Sequence, residues 1–302
     1  MKRLSLDESY RISNVMEEWL QTYKATRVVS KTTGNYRFGI QKLIGIVGDL
    51  PIEKLSQQAI DDFKISLLEK DLSVHSINSY LRCVRTFVNW LIQKEQIRPL
   101  RVTLLRAEKS IKDSYTEEEL MKLLVKPSKR DFSNYRNWVA INVLIGTGCR
   151  RRTLVNIKVS DIDFMNNFLS LRITKSRNAQ INPLSQTLAS VLKEYVNARK
   201  AKPDDYLICN AFGGQMLENG LTHEIQKYNW KRGVKKSSLH LFRHTFARMY
   251  LQAGGNVVYL SRILGHQSIT TTMEYVYLFA DDLKVNFDAI SPLEQMQSHH
   301  RL

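Results

Sequence analysis

The strongest constraint on the fold is a long stripe of apolar side chains at helical spacing. Behind Ser73, the residues Ile77, Tyr80, Leu81, Val84, Val88 and Leu91 recur every three or four positions. That interval gathers them on one face of an α-helix and leaves the other face polar. The pattern repeats in Ile12, Val15, Met16, Trp19, Leu20 and Tyr23, and in Tyr36, Ile40, Leu43, Ile44 and Val47. It returns in Ile60, Phe63 and Leu67 behind Ser56, a residue suited to cap a helix. Gly48-Asp-Leu-Pro51 breaks the series, because a residue before proline disfavours the helical region. No such stripe can be buried alone, so the first hundred residues read as a small helical bundle.

The rest of the chain is mixed. Thr116 and Glu119 have capping-box spacing, which predicts a helix start. Trp138 to Ile145 is apolar enough for a buried helix, and Gly146-Thr-Gly148 supplies its stop, leaving Arg150 at the start of a new element. The one convincing β signal is Leu169, Leu171 and Ile173 alternating with Ser170, Arg172 and Thr174. Gln180-Ile-Asn-Pro-Leu184 reads as its return strand, with Lys175 in the turn between. A helix is expected from Thr187 to Lys200, and Leu283, Val285, Phe287, Ile290 and Leu293 show weak helical spacing near the end. Gln96 to Lys112 has no clean period and carries Arg98, Arg101, Arg106, Lys109 and Lys112, so it reads as a flexible basic joint. The expected organisation is a helical domain at 1–98, a linker at 99–113 and a second domain at 114–302. The expected fold class is mainly α, with a mixed α/β second domain built on a small antiparallel sheet.

Charge narrows the partners. The net charge is +16, with 45 Lys and Arg against 29 Asp and Glu. Residues up to Lys112 carry 19 basic against 12 acidic side chains, and those after it 26 against 17. Both halves share the surplus, as a clamp gripping a polyanion from two sides requires. The polar faces of the early helices hold Lys31, Thr32, Thr33, Asn35, Arg37, Ser76, Asn78, Ser79, Arg82 and Arg85. They read either as a solvated face or as phosphate contacts, and Tyr80, Phe87 and Trp90 read as core. Cys83, Cys149 and Cys209 stand far apart without a CxxC, which opposes a disulfide framework or a zinc site. The N-terminus lacks an apolar leader and no apolar run approaches membrane length, so the expectation is a cytoplasmic protein without a membrane span.

The stretch from Leu239 to Tyr275 carries the chemistry. His240 and Arg243 lie three residues apart on one helix face, His266 follows Leu264-Gly, and Tyr275 follows nine residues later. Arginine and histidine can grip a phosphodiester while a tyrosine hydroxyl attacks it. A free phenol has a pKa near ~10, so about one in a thousand is ionised at pH 7. Two forked, permanently charged guanidiniums would stabilise the added charge of a pentacoordinate transition state. A lysine could protonate the departing oxygen. This scheme calls for no metal, cofactor or ATP, and no HExxH, paired-carboxylate or P-loop pattern is present. Each residue also has a structural reading: a hydrogen-bonded histidine, a partly buried tyrosine, an arginine holding an acid.

Arg150 in Thr-Gly-Cys-Arg, the hairpin Lys175, His240-x-x-Arg243, Leu-Gly-His266 and Tyr275 together resemble the tyrosine recombinase (phage integrase) family, in its Xer-like and transposon-type two-domain form. The likeness covers nearly the whole chain. It implies a SAM-like helical core-binding domain in front of the catalytic domain. It implies Tyr275 as the nucleophile forming a 3′-phosphotyrosyl link, and Arg150 and Arg243 on the scissile phosphate. It assigns Lys175 as general acid, His240 as general base and His266 as support for the transition state. It further implies double-stranded DNA with inverted-repeat core sites, a homo-tetramer in the synaptic complex, and a C-terminal segment, here Leu283 to Leu293, that docks on a neighbour. The expected role is integration, excision or transposition of a mobile element, with resolution of chromosome or plasmid dimers as the alternative. The chain departs from the family at Thr153, where an acidic residue is usual, and at Arg151 and Arg152. Tyr277 is a rival nucleophile, although the distance from His266 favours Tyr275. A start about ten residues before the first helix is expected to leave no room for an arm-binding domain. A type IB topoisomerase and a DNA-binding protein with a dead site are the competing readings.

Phosphate contacts should dominate DNA affinity. Binding measured by fluorescence anisotropy is expected to fall by roughly 10³-fold or more between about 50 and 200 mM salt; a flat dependence would contradict the two-sided basic clamp.

Overall fold

A computed structural model of the chain describes residues 10–25, 30–106, 113–172 and 180–278, together with 291 and 296. It divides into two compact units, Met1–Ser110 and Ile111–Leu302. Lys175, its turn, residues 107–112 and the stretch Leu283 to Leu293 apart from Ser291 lie outside the described residues.

In the first unit, the apolar stripes become α1 (Ile12–Ala25), α2 (Ser30–Val47), α3 (Gln57–Leu68) and α4 (Val74–Gln93). Ser56 and Ser73 cap α3 and α4, their hydroxyls accepting from the backbone N–H of Ala59 and Ser76. Trp19, Ile40, Leu43, Phe63, Leu81, Phe87 and Leu91 make a fully buried centre, with Tyr80 and Trp90 packed at its edge. The aromatics are therefore core.

Two expectations change here. Asn78 is not on the polar face: it is buried, its Nδ2 donates to Leu105 O at 2.9 Å and its Oδ1 accepts from Leu105 N at 2.8 Å. Gln57 holds Arg101 in the same way, at 3.1 and 2.9 Å. The start of the expected joint is thus an extended segment belonging to the first unit. Val102 is buried and Leu100, Leu104 and Leu105 pack against the core. The physical reason is an apolar alternation at 100, 102 and 104, with two carboxamides standing in for a neighbouring strand. Arg37 is also committed, its guanidinium donating to Glu17.

The second unit begins with α5 (Glu117–Leu124), whose capping box joins Thr116 and Glu119. It continues through α6 (Phe132–Thr147) and the one-turn α7 (Arg151–Leu154). α6 buries Trp138, Val139, Ala140, Ile141, Val143 and Leu144, which is why it shows no one-sided stripe. A three-stranded antiparallel sheet follows, in order β1 (Ile162–Asp163), β2 (Phe168–Leu171) and β3 (Gln180–Pro183), pairing Leu169 with Asn182 and Leu171 with Gln180. β3 inverts ordinary alternation: Ile181 is 66% exposed while Asn182 is fully buried. The chain ends its described part with α8 (Gln186–Arg199), α9 (Glu218–Lys231), α10 (Leu239–Gln252), α11 (Val257–Leu264) and α12 (Thr270–Leu278). β1 and α9 were not anticipated. β1 is two residues long, and α9 starts at Leu217 without a side-chain cap, although Leu221, Ile225 and Tyr228 are buried at helical spacing.

Replacing Asn78 with Ala should cost about 1–3 kcal/mol in denaturant unfolding, because Leu105 loses both backbone partners. Trypsin should then cut at Arg101 and Arg106 faster than in the unaltered protein.

Candidate active site

The site is assembled around the C-terminal end of α11. A helix leaves its last carbonyls without intrahelical partners. Gly265 takes the left-handed conformation (φ 62°) at that end, and His266 N returns to Ser261 O at 3.0 Å. Gly265 N closes onto Arg262 O at 2.9 Å, which leaves Ile263 O and Leu264 O for side chains from elsewhere. Gln180 Nε2 donates to Arg262 O at 2.9 Å and also reaches Ile263 O, which further accepts from Asn182 Nδ2 at 3.0 Å. This explains why Asn182 turns inward. Leu264 O accepts from Arg243 Nη2 at 2.8 Å and from Arg150 Nη1 at 3.4 Å. The negative end of the helix dipole favours both cations there.

Arg150 reaches this point because α6 stops at Gly148, left-handed at φ 61°, which swings the chain into Arg150, extended at the N-cap of α7. The same turn frees Gly148 O, which accepts from Arg243 Nη1 at 2.9 Å. A Cβ at Gly148 would stand 2.5 Å from Phe246 and 2.8 Å from Leu264, so only glycine fits that close approach. Arg151 points elsewhere, bonding Glu218 and Thr222 on α9. Thr153 is buried.

Arg243 lies on α10 and is 3% exposed. Burial, then the neighbouring Arg150 charge, push its pKa down to about 10, against an opposing pull from Tyr275; it stays charged at neutral pH. Burial likewise lowers Arg150, again opposed by Tyr275. Arg243 Nη2 also meets His266 Nε2 at 2.7 Å. A guanidinium only donates, so His266 Nε2 accepts, and Nδ1 carries the proton toward Thr272 Oγ1 at 2.7 Å. The His266 ring lies parallel to Tyr275, 3° apart in plane with centroids at 6.4 Å.

Tyr275 is buried on α12 among Ala247, Leu260 and Leu264. Its hydroxyl is 2.9 Å from His244 Nδ1. Thr272 and Tyr275, three residues apart, thus face the site together. Tyr277 is 70% exposed and takes no part in this arrangement. His240 is exposed, one turn before His244, with ring centroids 5.5 Å apart.

The structure therefore brings Arg150, Arg243, His266 and Tyr275 together and sets His240 at the edge, while Lys175 is outside the described residues. Sequence reasoning missed His244. Its signal was present: four residues past His240, it falls on the same helix face. Among the described residues, the hydrogen-bond partners found for Arg243 are carbonyls and an imidazole. The equally buried Arg136 is paired with Glu224 at 2.7 Å. Neutral acceptors leave the positive field of Arg150 and Arg243 open to an incoming anion.

The chain belongs to the phage integrase family, whose family model matches residues 114–281. It is 30% identical over 260 residues to a tyrosine recombinase of Pseudothermotoga lettingae, covering 83% of this chain and 86% of that protein. It is 24% identical over 294 residues to the tyrosine recombinase XerD of Staphylococcus haemolyticus, covering 93% and 99%. Among solved structures it resembles the site-specific recombinase XerH bound to a palindromic difH substrate, with a TM-score of 0.72 and 20% identity, covering 93% of this chain and 85% of that one. Among the described residues, no helix is long and apolar enough to cross a membrane.

Exchanging Gly148 for Ala should destabilise the second unit by about 1–3 kcal/mol through a forced left-handed alanine and overpacking against Phe246 and Leu264. A lowered thermal midpoint by calorimetry is the expected result.

Proposed function

We propose that the protein is a site-specific DNA recombinase that breaks and rejoins strands through a 3′-phosphotyrosyl intermediate. The observation that carries this reading is the buried Tyr275 hydroxyl beside Arg243 and Arg150, two cations whose hydrogen bonds go to neutral acceptors. In the proposed reaction the Tyr275 oxygen attacks the scissile phosphorus and the bond to the 5′ oxygen breaks. Arg150 and Arg243 hold the non-bridging oxygens, exchanging part of their bonding to Leu264 O for the phosphate. His266 keeps Arg243 in place from its imidazole side. Lys175 supplies the proton to the 5′ oxygen, and a histidine on α10 takes the Tyr275 proton, a role that family resemblance assigns to His240, which is exposed. The phosphodiester energy is kept in the covalent link, so rejoining needs no ATP or other cofactor.

The substrate proposed is double-stranded DNA with inverted-repeat core sites, bridged by four protomers. The role proposed is integration, excision or transposition of a mobile element. Similarity to a XerD along 93% of the chain supports a second reading, resolution of chromosome or plasmid dimers. DNA sequence flanking the gene separates the two, since a mobile element has recognisable ends.

Incubation with a nicked suicide substrate should give a covalent protein–DNA band on a denaturing gel. Tyr275→Phe should abolish it, and Arg243→Ala should slow it by roughly 10²–10³-fold or more. A band that survives Tyr275→Phe would exclude this mechanism, and a plasmid relaxed without any target site would favour a topoisomerase.

A further inference from the structure

Proton transfer from the attacking tyrosine is the step the site geometry describes most directly. Tyr275 has one hydroxyl proton. Arg243 cannot take it, because a guanidinium can only donate. When the phenol oxygen attacks, its proton must go to an acceptor. His244 Nδ1, at 2.9 Å, is a ring nitrogen within hydrogen-bond reach of that oxygen. His266 is excluded, because its Nε2 already receives from Arg243 and its Nδ1 faces Thr272. The His240 ring is in contact with His244, while the ring packed on Tyr275 from α10 is that of His244, with centroids at 5.5 Å.

We propose that His244, not His240, is the general base that takes the Tyr275 proton during cleavage and returns it during rejoining. The inference rests on the recombinase reading above. In cleavage the Tyr275 proton passes to His244 Nδ1 as the phenol oxygen bonds to phosphorus. The bond from phosphorus to the 5′ oxygen breaks with its electron pair on that oxygen, which takes a proton from Lys175. In rejoining, neutral Lys175 receives the proton of the attacking 5′-hydroxyl. The bond from phosphorus to the Tyr275 oxygen breaks, and the His244 imidazolium restores the phenol proton. This step requires the neutral imidazole to carry its proton on Nε2 beforehand, with Nδ1 accepting from the phenol. His240, exposed and one turn earlier on α10, is then left to contact the DNA phosphate directly.

The test is the single-turnover rate of covalent adduct formation at saturating protein, so that DNA affinity drops out. His244→Ala, His244→Asn and His240→Ala are compared with the unaltered protein and with Tyr275→Phe. Asn places a hydrogen-bonding group near the position of Nδ1 but cannot take a proton. The expected result is a loss of roughly 10²-fold or more in both His244 variants, with rejoining slowed in parallel and the Asn variant no better than the Ala variant. A loss under tenfold in either His244 variant overturns the proposal: a fast Asn variant would mean that the contact only orients Tyr275. If the unaltered protein forms no Tyr275-dependent adduct, the recombinase reading falls and this inference with it. A normal adduct combined with fast His244 variants removes the inference alone.

Discussion

The arrangement of the site depends on the unpaired carbonyls at the end of α11. Ile263 O and Leu264 O, which no backbone N–H reaches, would be costly to bury without donors. The donors come from three distant parts of the chain: Gln180 and Asn182 on β3, Arg150 after α6, and Arg243 on α10. Satisfying one helix end thus fixes both arginines relative to each other and to the sheet. Burying Arg243 carries a desolvation cost of several kcal/mol, and three neutral contacts offset part of it without cancelling the charge. An acid in the same place would have made the residue structural, as Glu224 does for Arg136 and Glu218 for Arg151.

The reacting hydroxyl is positioned by the next helix through the same end. His266 follows directly from the Gly265 turn and bridges Arg243 to Thr272. One turn on, Tyr275 meets His244. α12 is therefore fastened to α10 through two imidazoles, and the phenol is held beside two guanidinium groups. In water, the ordinary phenol pKa would leave this oxygen almost wholly protonated.

Much of the first unit was legible because amphipathic stripes and serine caps are local signals. The capping box at Thr116, the Gly148 stop and the β2 alternation were legible for the same reason. Asn78 was misplaced because a buried carboxamide looks like a surface residue until its backbone partner, Leu105, arrives from 27 positions away. Asn182 and Ile181 exchange their expected sides for a similar reason: the donor for Ile263 O is nowhere near it in sequence. His244 was overlooked because the motif reading weighed His240, Arg243 and His266, and its spacing from His240 places it on that helix face without showing that Tyr275 comes to meet it.

By itself, the sequence determined the helices of the first unit and several starts and stops in the second, that both halves are basic, and which residue types could handle a phosphodiester. These follow from side-chain period, capping chemistry and charge, all of which act within a few residues. The tertiary structure decided which tyrosine is buried at the cations, which of three consecutive arginines stands beside Leu264 O, and which histidine holds the phenol. Those choices turn on hydrogen-bond partners brought together from separate helices and a strand, and on burial that no single segment can create.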